Sequence, residues 1–132
     1  VVLEQPSVPA GNYARQALAK MSQDPTFGPN FSDKVLANVV SQELDVKSVL
    51  SRIELGEADA GILYTSDVLT AQPGTVESLS IPDQFNVSAD YPLAVVKNAP
   101  NPAAAKAFVD YVSRVQAGQA TLQKYGLIPV NA

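Results

Sequence analysis

The chain contains no cysteine and no histidine. Those absences remove thiol nucleophiles, imidazole bases, disulfides and every metal site built on nitrogen or sulfur ligands. They leave the redox compartment open, because a cysteine-free chain is at home on either side of a membrane. Positive charge is also sparse: nine Lys and Arg are scattered along the chain against thirteen Asp and Glu, for a net charge of −4. Phosphate-backbone affinity rests on clustered Lys and Arg, so nucleic acid is not expected as a partner. No apolar run approaches the roughly 20 residues of a membrane span. No basic stretch followed by an apolar one opens the chain, so a soluble chain without a retained export signal is expected. There is no Gly-x-Ser-x-Gly elbow and no glycine-rich phosphate loop. Neither an enzyme nor a cofactor is expected.

What is present is a chain of 132 residues, 46% of them hydrophobic, long enough for one domain with a real core. Val1-Val2-Leu3 reads as a short strand that breaks at Gln5-Pro6. After a loop through Pro9-Ala10-Gly11, the spacing of Tyr13, Ala14, Ala17, Leu18 and Met21 predicts a helix. A Pro- and Gly-rich loop spans Asp24 to Asn30, Ser32 caps a short helix over 33–37, and Asn38 to Ser41 is extended. Val46, Val49, Leu50 and Ile53 then mark an amphipathic helix with Asp45 as its N-cap and Gly56 beyond its end. Ala60 to Tyr64 reads as a buried strand, and Val76 to Leu79 and Tyr91 to Val96 as further strands. Ser66-Asp67 opens a helical turn, and Gln72-Pro73-Gly74 is a turn. Asn101 and Pro102 start a helix to about Val115, followed by a second from Ala117 to Tyr125 closed by Gly126. Strands alternating with helices indicate an α/β domain with a largely parallel or mixed sheet.

In such sheets ligands sit beyond the carboxyl ends of strands, where helices begin. A helix start offers unpaired N–H groups and the positive end of the macrodipole, and both favour an oxyanion. Three places qualify: Ala10-Gly11, Asp45-Val46 and the phenol of Tyr64. If the Asp45 side chain accepts from the N–H of Lys47 or Ser48, the Val46 N–H is left for a ligand and Asp45 orients the site without touching it. Glu54, Glu57 and Asp59 cluster around Gly56, but a charged helix end and turn accounts for them better than acid–base chemistry. Tyr13 and Tyr125 are assigned to core packing.

Taken together, Val8-Pro9-Ala10-Gly11-Asn12-Tyr13-Ala14, Asp45-Val46-Lys47-Ser48-Val49-Leu50 and Gly56-Glu57-Ala58-Asp59-Ala60-Gly61-Ile62-Leu63-Tyr64 resemble the solute-binding proteins of molybdate and tungstate ABC transporters. Tyr91-Pro92-Leu93-Ala94-Val95-Val96 and the segments opening at Asn101 and Gln119 resemble the C-terminal part of the same family. The resemblance covers essentially the whole chain and implies a lobe of a type II periplasmic binding protein, with a mixed sheet flanked by helices and a C-terminal helical pair. It places the second lobe at residues 1–96 and, at 97–132, helices that normally pack on a first lobe. Nothing in the chain resembles that first lobe with its two serine-containing loops. One departure is a longer segment between Ala10 and Val46.

By resemblance the ligand contacts are the backbone N–H groups of Ala10 and Val46 and the hydroxyl of Tyr64, with Asp45 and Gly11 orienting them. No metal is implied. The implied partners are a small tetrahedral oxyanion and a membrane permease, in a periplasmic or otherwise extracytoplasmic setting that allows a membrane anchor. Charge-assisted hydrogen bonds contribute about 1.5–3 kcal/mol each. Three of them against an association cost of at least roughly 4 kcal/mol leave weak binding for one lobe alone. The competing expectation is a ligand-sensing effector domain of a transcription regulator with the same fold. The C-terminal apolar stripe (Ala104, Ala105, Phe108, Val109, Val112, Ala120, Leu122) needs a cover, and a homodimer or domain swap would supply one.

Overall fold

The structure is a computed structural model describing residues 1–130. Contacts divide the chain into two compact units that meet in sequence at Ser88 and Ala89. The break lies upstream of Val96, where the sequence reading placed the boundary.

The first unit is organised around β1 (Val2–Glu4), a strand buried along its whole length. It pairs in parallel with β2 (Ser41–Glu43), in the register Val2↔Ser41, Leu3↔Gln42 and Glu4↔Glu43. On its other side a single parallel bridge joins Val2 to Gly61, and the Val2 N–H donates to the Ala60 carbonyl at 2.9 Å. Val2 and Leu3 are fully buried, and Val2 packs with Val49 and Ala58 while Ile53 and Leu63 close the cluster. Burying a side chain of that size stabilises by about 1.5–3 kcal/mol, so β1 is the anchor of the unit despite its three residues.

Helix α1 (Pro9–Ser22) follows β1, and its buried residues Ala10, Ala14, Ala17 and Leu18 form one face. It begins earlier than the apolar spacing alone indicates, because Pro9 has the φ of a helix and no N–H to leave unpaired. Ala10 and Gly11 therefore lie in the first turn and not in a loop before it. Helix α2 (Phe31–Ala37) starts at Asn30; Ser32 is inside it, with its N–H donating to Ser22 Oγ at 2.8 Å. The preceding long loop is held by Phe27, which meets Phe31 and Phe85 at ring centroid distances of 4.8 and 5.4 Å. Helix α3 (Val46–Glu54) follows β2 and buries Val49 and Leu50. Helix α4 (Thr65–Val68) is a single turn after Tyr64.

Several expected strands do not form. Ala60 to Tyr64 makes one bridge, at Gly61, and none of its residues is fully buried. A Cβ at Gly61 would stand 2.9 Å from the Val2 carbonyl oxygen and from Ile53 Cδ1, which explains why this segment passes β1 so closely only at a glycine. Val76 to Leu79 and Tyr91 to Val96 are irregular. Leu79 is 85% exposed and Val96 71%; strand preference is expressed on a half-buried surface beside a paired neighbour, and these segments have neither. Among the described residues the expected mixed sheet is thus two parallel strands and one bridge. Two of the acids around Gly56 have structural roles: Glu54 accepts from the Gln72 N–H at 2.8 Å and Thr75 Oγ1 at 3.2 Å, and Glu57 pairs with Arg52.

The second unit holds α5 (Pro102–Arg114) and α6 (Gln116–Lys124). Asn101 caps α5 through the Ala104 N–H, and Gly126 lies in the left-handed region just past α6. The helices close on each other at Gly118, whose missing Cβ would sit 2.2 Å from the Tyr111 carbonyl oxygen. The Gln119 amide donates to the Val112 carbonyl and accepts from the Val130 N–H. Phe108 is 61% exposed, and Tyr125, assigned to the core from sequence, is equally so. Among the described residues no helix is long and apolar enough to cross a membrane.

Candidate functional site

Because β1, β2 and the Gly61 segment run parallel, their carboxyl ends share one edge. Three helices begin just beyond it: α1 after Glu4, α3 after Glu43 and α4 after Tyr64. The edge is therefore where orphan amides and helix dipoles collect.

The amides of the first turn of α1 can be accounted for one by one. Pro9 has none, the Asn12 N–H donates to the Val8 carbonyl at 3.0 Å, and the Gly11 N–H is directed at the Glu4 carboxylate. Among the described residues the Ala10 N–H has no acceptor, and Ala10 is buried. In α3 the Asp45 carboxylate accepts from the Ser48 N–H and from Ser48 Oγ, each at 2.9 Å. The Lys47 N–H is also directed at it, and the Val49 N–H reaches the Asp45 carbonyl. Among the described residues the Val46 N–H has no acceptor. The Ser48 hydrogen bonds, more than the nearby Lys47 charge, hold the Asp45 carboxyl below the usual carboxylate range.

Tyr64 occupies the N-cap position of α4, where its carbonyl accepts from the Asp67 and Val68 N–H groups at 3.0 and 3.2 Å. Tyr64 and Ala10 line one small cavity of about 50 Å³ together with Tyr13, Leu63 and Val87. Tyr13 thus borders this cavity instead of belonging to the core. Val46 is not part of that lining. A larger cavity of about 720 Å³ runs along Leu50, Ile53, Gly61, Val76 and Ile81, and none of the five sequence-designated site residues lines it.

Gly11 lets α1 approach the end of β1: a Cβ there would lie 2.1 Å from the Gln5 carbonyl oxygen and 2.6 Å from that of Glu4. Arg15 fastens the same corner. Its Nη1 donates to the carbonyls of Glu4 (2.8 Å) and Gly11 (2.7 Å), and its Nη2 donates to Gln42 Oε1 (2.9 Å).

Sequence reasoning missed the acids at this edge. Glu4 is only 4% exposed. Burial pushes its carboxyl above the usual range; the Gly11 N–H pulls the other way, and Asp45 and Asp67 push further up. Asp67 in α4 is likewise raised by burial and lowered by Lys47, and among the described residues its buried Oδ2 has no hydrogen-bond partner. Glu43 is the counter-case, held low by Ser41 and Arg52. The available signal was a glutamate closing the apolar run Val1-Val2-Leu3, where a charge on a buried strand has to be explained. Among the described residues no cluster of His, Cys, Asp or Glu could hold a metal ion.

The sequence matches the family described as bacterial extracellular solute-binding proteins over residues 1–128. It is 36% identical over 126 residues to the molybdate-binding protein ModA of Mycobacterium tuberculosis, covering 96% of this chain and 43% of that protein. To the molybdate-binding protein ModA of Escherichia coli it is 34% identical over 119 residues, 90% of this chain and 42% of that one. A putative ABC transporter substrate-binding lipoprotein, YvgL of Bacillus subtilis, is 33% identical over 120 residues, 91% and 42% respectively. The chain therefore spans less than half the length of the curated relatives it matches. No solved structure matches. With its helix starts gathered on one parallel edge and its family match running nearly end to end, the chain belongs to the bacterial extracellular solute-binding proteins.

Proposed function

We propose that this chain forms an oxyanion-binding lobe of an extracytoplasmic ABC-transporter receptor, taking molybdate or tungstate and passing it to a membrane permease. The observation that carries the reading is the pair of unspent first-turn amides, at Ala10 and Val46, on one edge of parallel strands. Tyr64 adds a hydroxyl from the third helix start, beside Ala10. Neutral donors hold a dianion without a counter-ion and let a closing cleft select by size. The names of the relatives agree with that ligand class. Nothing in this chemistry calls for a nucleophile or base, so the role is recognition and not turnover.

In this reading a second lobe completes the oxyanion shell, and its surface covers the exposed apolar side chains of α5; a second copy of the chain is the other cover. Calorimetric titration of the complete gene product should give tight binding of molybdate and tungstate and much weaker binding of sulfate. Tyr64→Phe should weaken the tight ligand by about tenfold to a hundredfold, the equivalent of one charge-assisted hydrogen bond. No heat with any of the three oxyanions would overturn the proposal.

A further inference from the structure

The edge that offers two amides to an anion also carries a buried carboxylate in contact with one of those helix starts. We propose that Glu4 is the proton acceptor that sets this edge's affinity for a dianion: the ligand is bound with Glu4 neutral, and ionised Glu4 opposes it. This deepens the oxyanion reading above and rests on it.

The geometry is specific. Glu4 ends β1 at 4% exposure, and the first turn of α1 lies directly against it: a Cβ at Gly11 would stand 2.6 Å from the Glu4 carbonyl oxygen, and the Gly11 N–H, next to that of Ala10, is directed at the Glu4 carboxylate. A dianion held by the Ala10 N–H therefore shares one helix start with the Glu4 carboxylate, inside a region that excludes most water. Like charges so placed in low dielectric disfavour joint ionisation.

Among the described residues no cation pairs with the Glu4 carboxylate. On α1, the Arg15 guanidinium is committed to the carbonyls of Glu4 and Gly11 and to Gln42, not to the Glu4 carboxylate. On β2, Glu43 stands opposite in the register and is tied to Ser41 and Arg52. Before α3, Asp45 is engaged with Ser48, and on α4 Asp67 adds a further negative charge. Lys47 on α3 acts on Asp45 and Asp67.

Burial has already moved Glu4 toward the neutral form, and an arriving dianion moves it further. The step is a simple protonation: the Glu4 carboxylate takes one proton from solvent and becomes a carboxyl group. Its O–H is then a donor where a repelling charge stood. The sign follows. Affinity is highest below the raised Glu4 pKa and falls as pH rises through it, by up to about tenfold per pH unit for one linked proton.

The test measures molybdate binding by calorimetry from mildly acid to mildly alkaline pH on the complete gene product, for wild type, Glu4→Gln and Asp67→Asn. Gln keeps an acceptor for the Gly11 N–H but cannot ionise. The difference between wild type and Glu4→Gln also cancels the ligand's own titration. Expected are a falling affinity with pH in wild type, a flatter and tighter profile in Glu4→Gln, and a slope retained in Asp67→Asn. Equal slopes in wild type and Glu4→Gln, or a slope lost only in Asp67→Asn, would overturn the assignment while leaving oxyanion binding intact. Should Glu4→Gln fail to fold, wild-type titrations in buffers of different ionisation enthalpy count the protons directly. Net uptake supports the proposal, and zero uptake overturns it. Absence of molybdate binding by wild type at every pH overturns both this inference and the function it rests on.

Discussion

Helices α1 and α5 start alike and end up in opposite circumstances. Each has proline at its first position, and each unit contains a glycine whose hydrogen allows a close approach, Gly11 against the end of β1 and Gly118 against the Tyr111 carbonyl. Yet Ala10 at the start of α1 is buried, whereas Asn101, Pro102 and Ala103 around the start of α5 are exposed. An unpaired amide facing solvent is satisfied by water at little cost. The same amide shielded from water carries a desolvation penalty of about 1–3 kcal/mol until something binds it. What makes a helix start a site is the exclusion of water around it, which is decided by the strand it packs on.

The contrast can be broken most severely at Gly11. Gly11→Ala would drive a methyl group into two backbone carbonyls that the buried strand β1 holds in place. We expect a loss of about 3 kcal/mol or more in urea denaturation, together with loss of oxyanion binding. A stable, ligand-competent Gly11→Ala protein would show that α1 can move off the strand.

Gly118→Ala sharpens the comparison from the other side. The clash with Tyr111 is as close on paper, but α6 buries only Gly118 and can swing away. A smaller cost of about 1–2 kcal/mol is expected, appearing as faster amide exchange confined to residues 102–124 with the first unit unaffected. Faster exchange in β1 would show that the hairpin supports the sheet.

The smallest effect should come from Phe108→Ser. With 61% of Phe108 already exposed, stability should change by no more than about 0.5 kcal/mol. A larger loss would reveal a cover over α5 in solution.

Legibility in the sequence followed the range of the interaction. The Asp45 cap was readable because the donor it serves, the Ser48 N–H, is three residues away. The start of α5 at Asn101-Pro102 and its partner's end before Gly126 were readable for the same reason. The strands expected at 76–79 and 91–96 were read from apolar composition alone. They failed because a strand exists only beside a partner, and composition does not name one. Glu4 was passed over because its environment is assembled from Gly11, Asp45 and Asp67, residues far apart in the sequence.

By itself, then, the sequence determined that the main helices exist, the caps at Asp45 and Asn101, the absence of thiol and imidazole chemistry, and the family. These depend on residue types and on contacts within one or two turns. Tertiary structure alone decided that Val2 to Glu4 is the buried centre, that the starts of α1, α3 and α4 fall on one edge, and that a carboxylate lies among them. The physical reason is that burial and mutual electrostatics belong to no single segment. They arise only when the parallel strands 2–4 and 41–43 and the bridging segment at Gly61 are brought side by side.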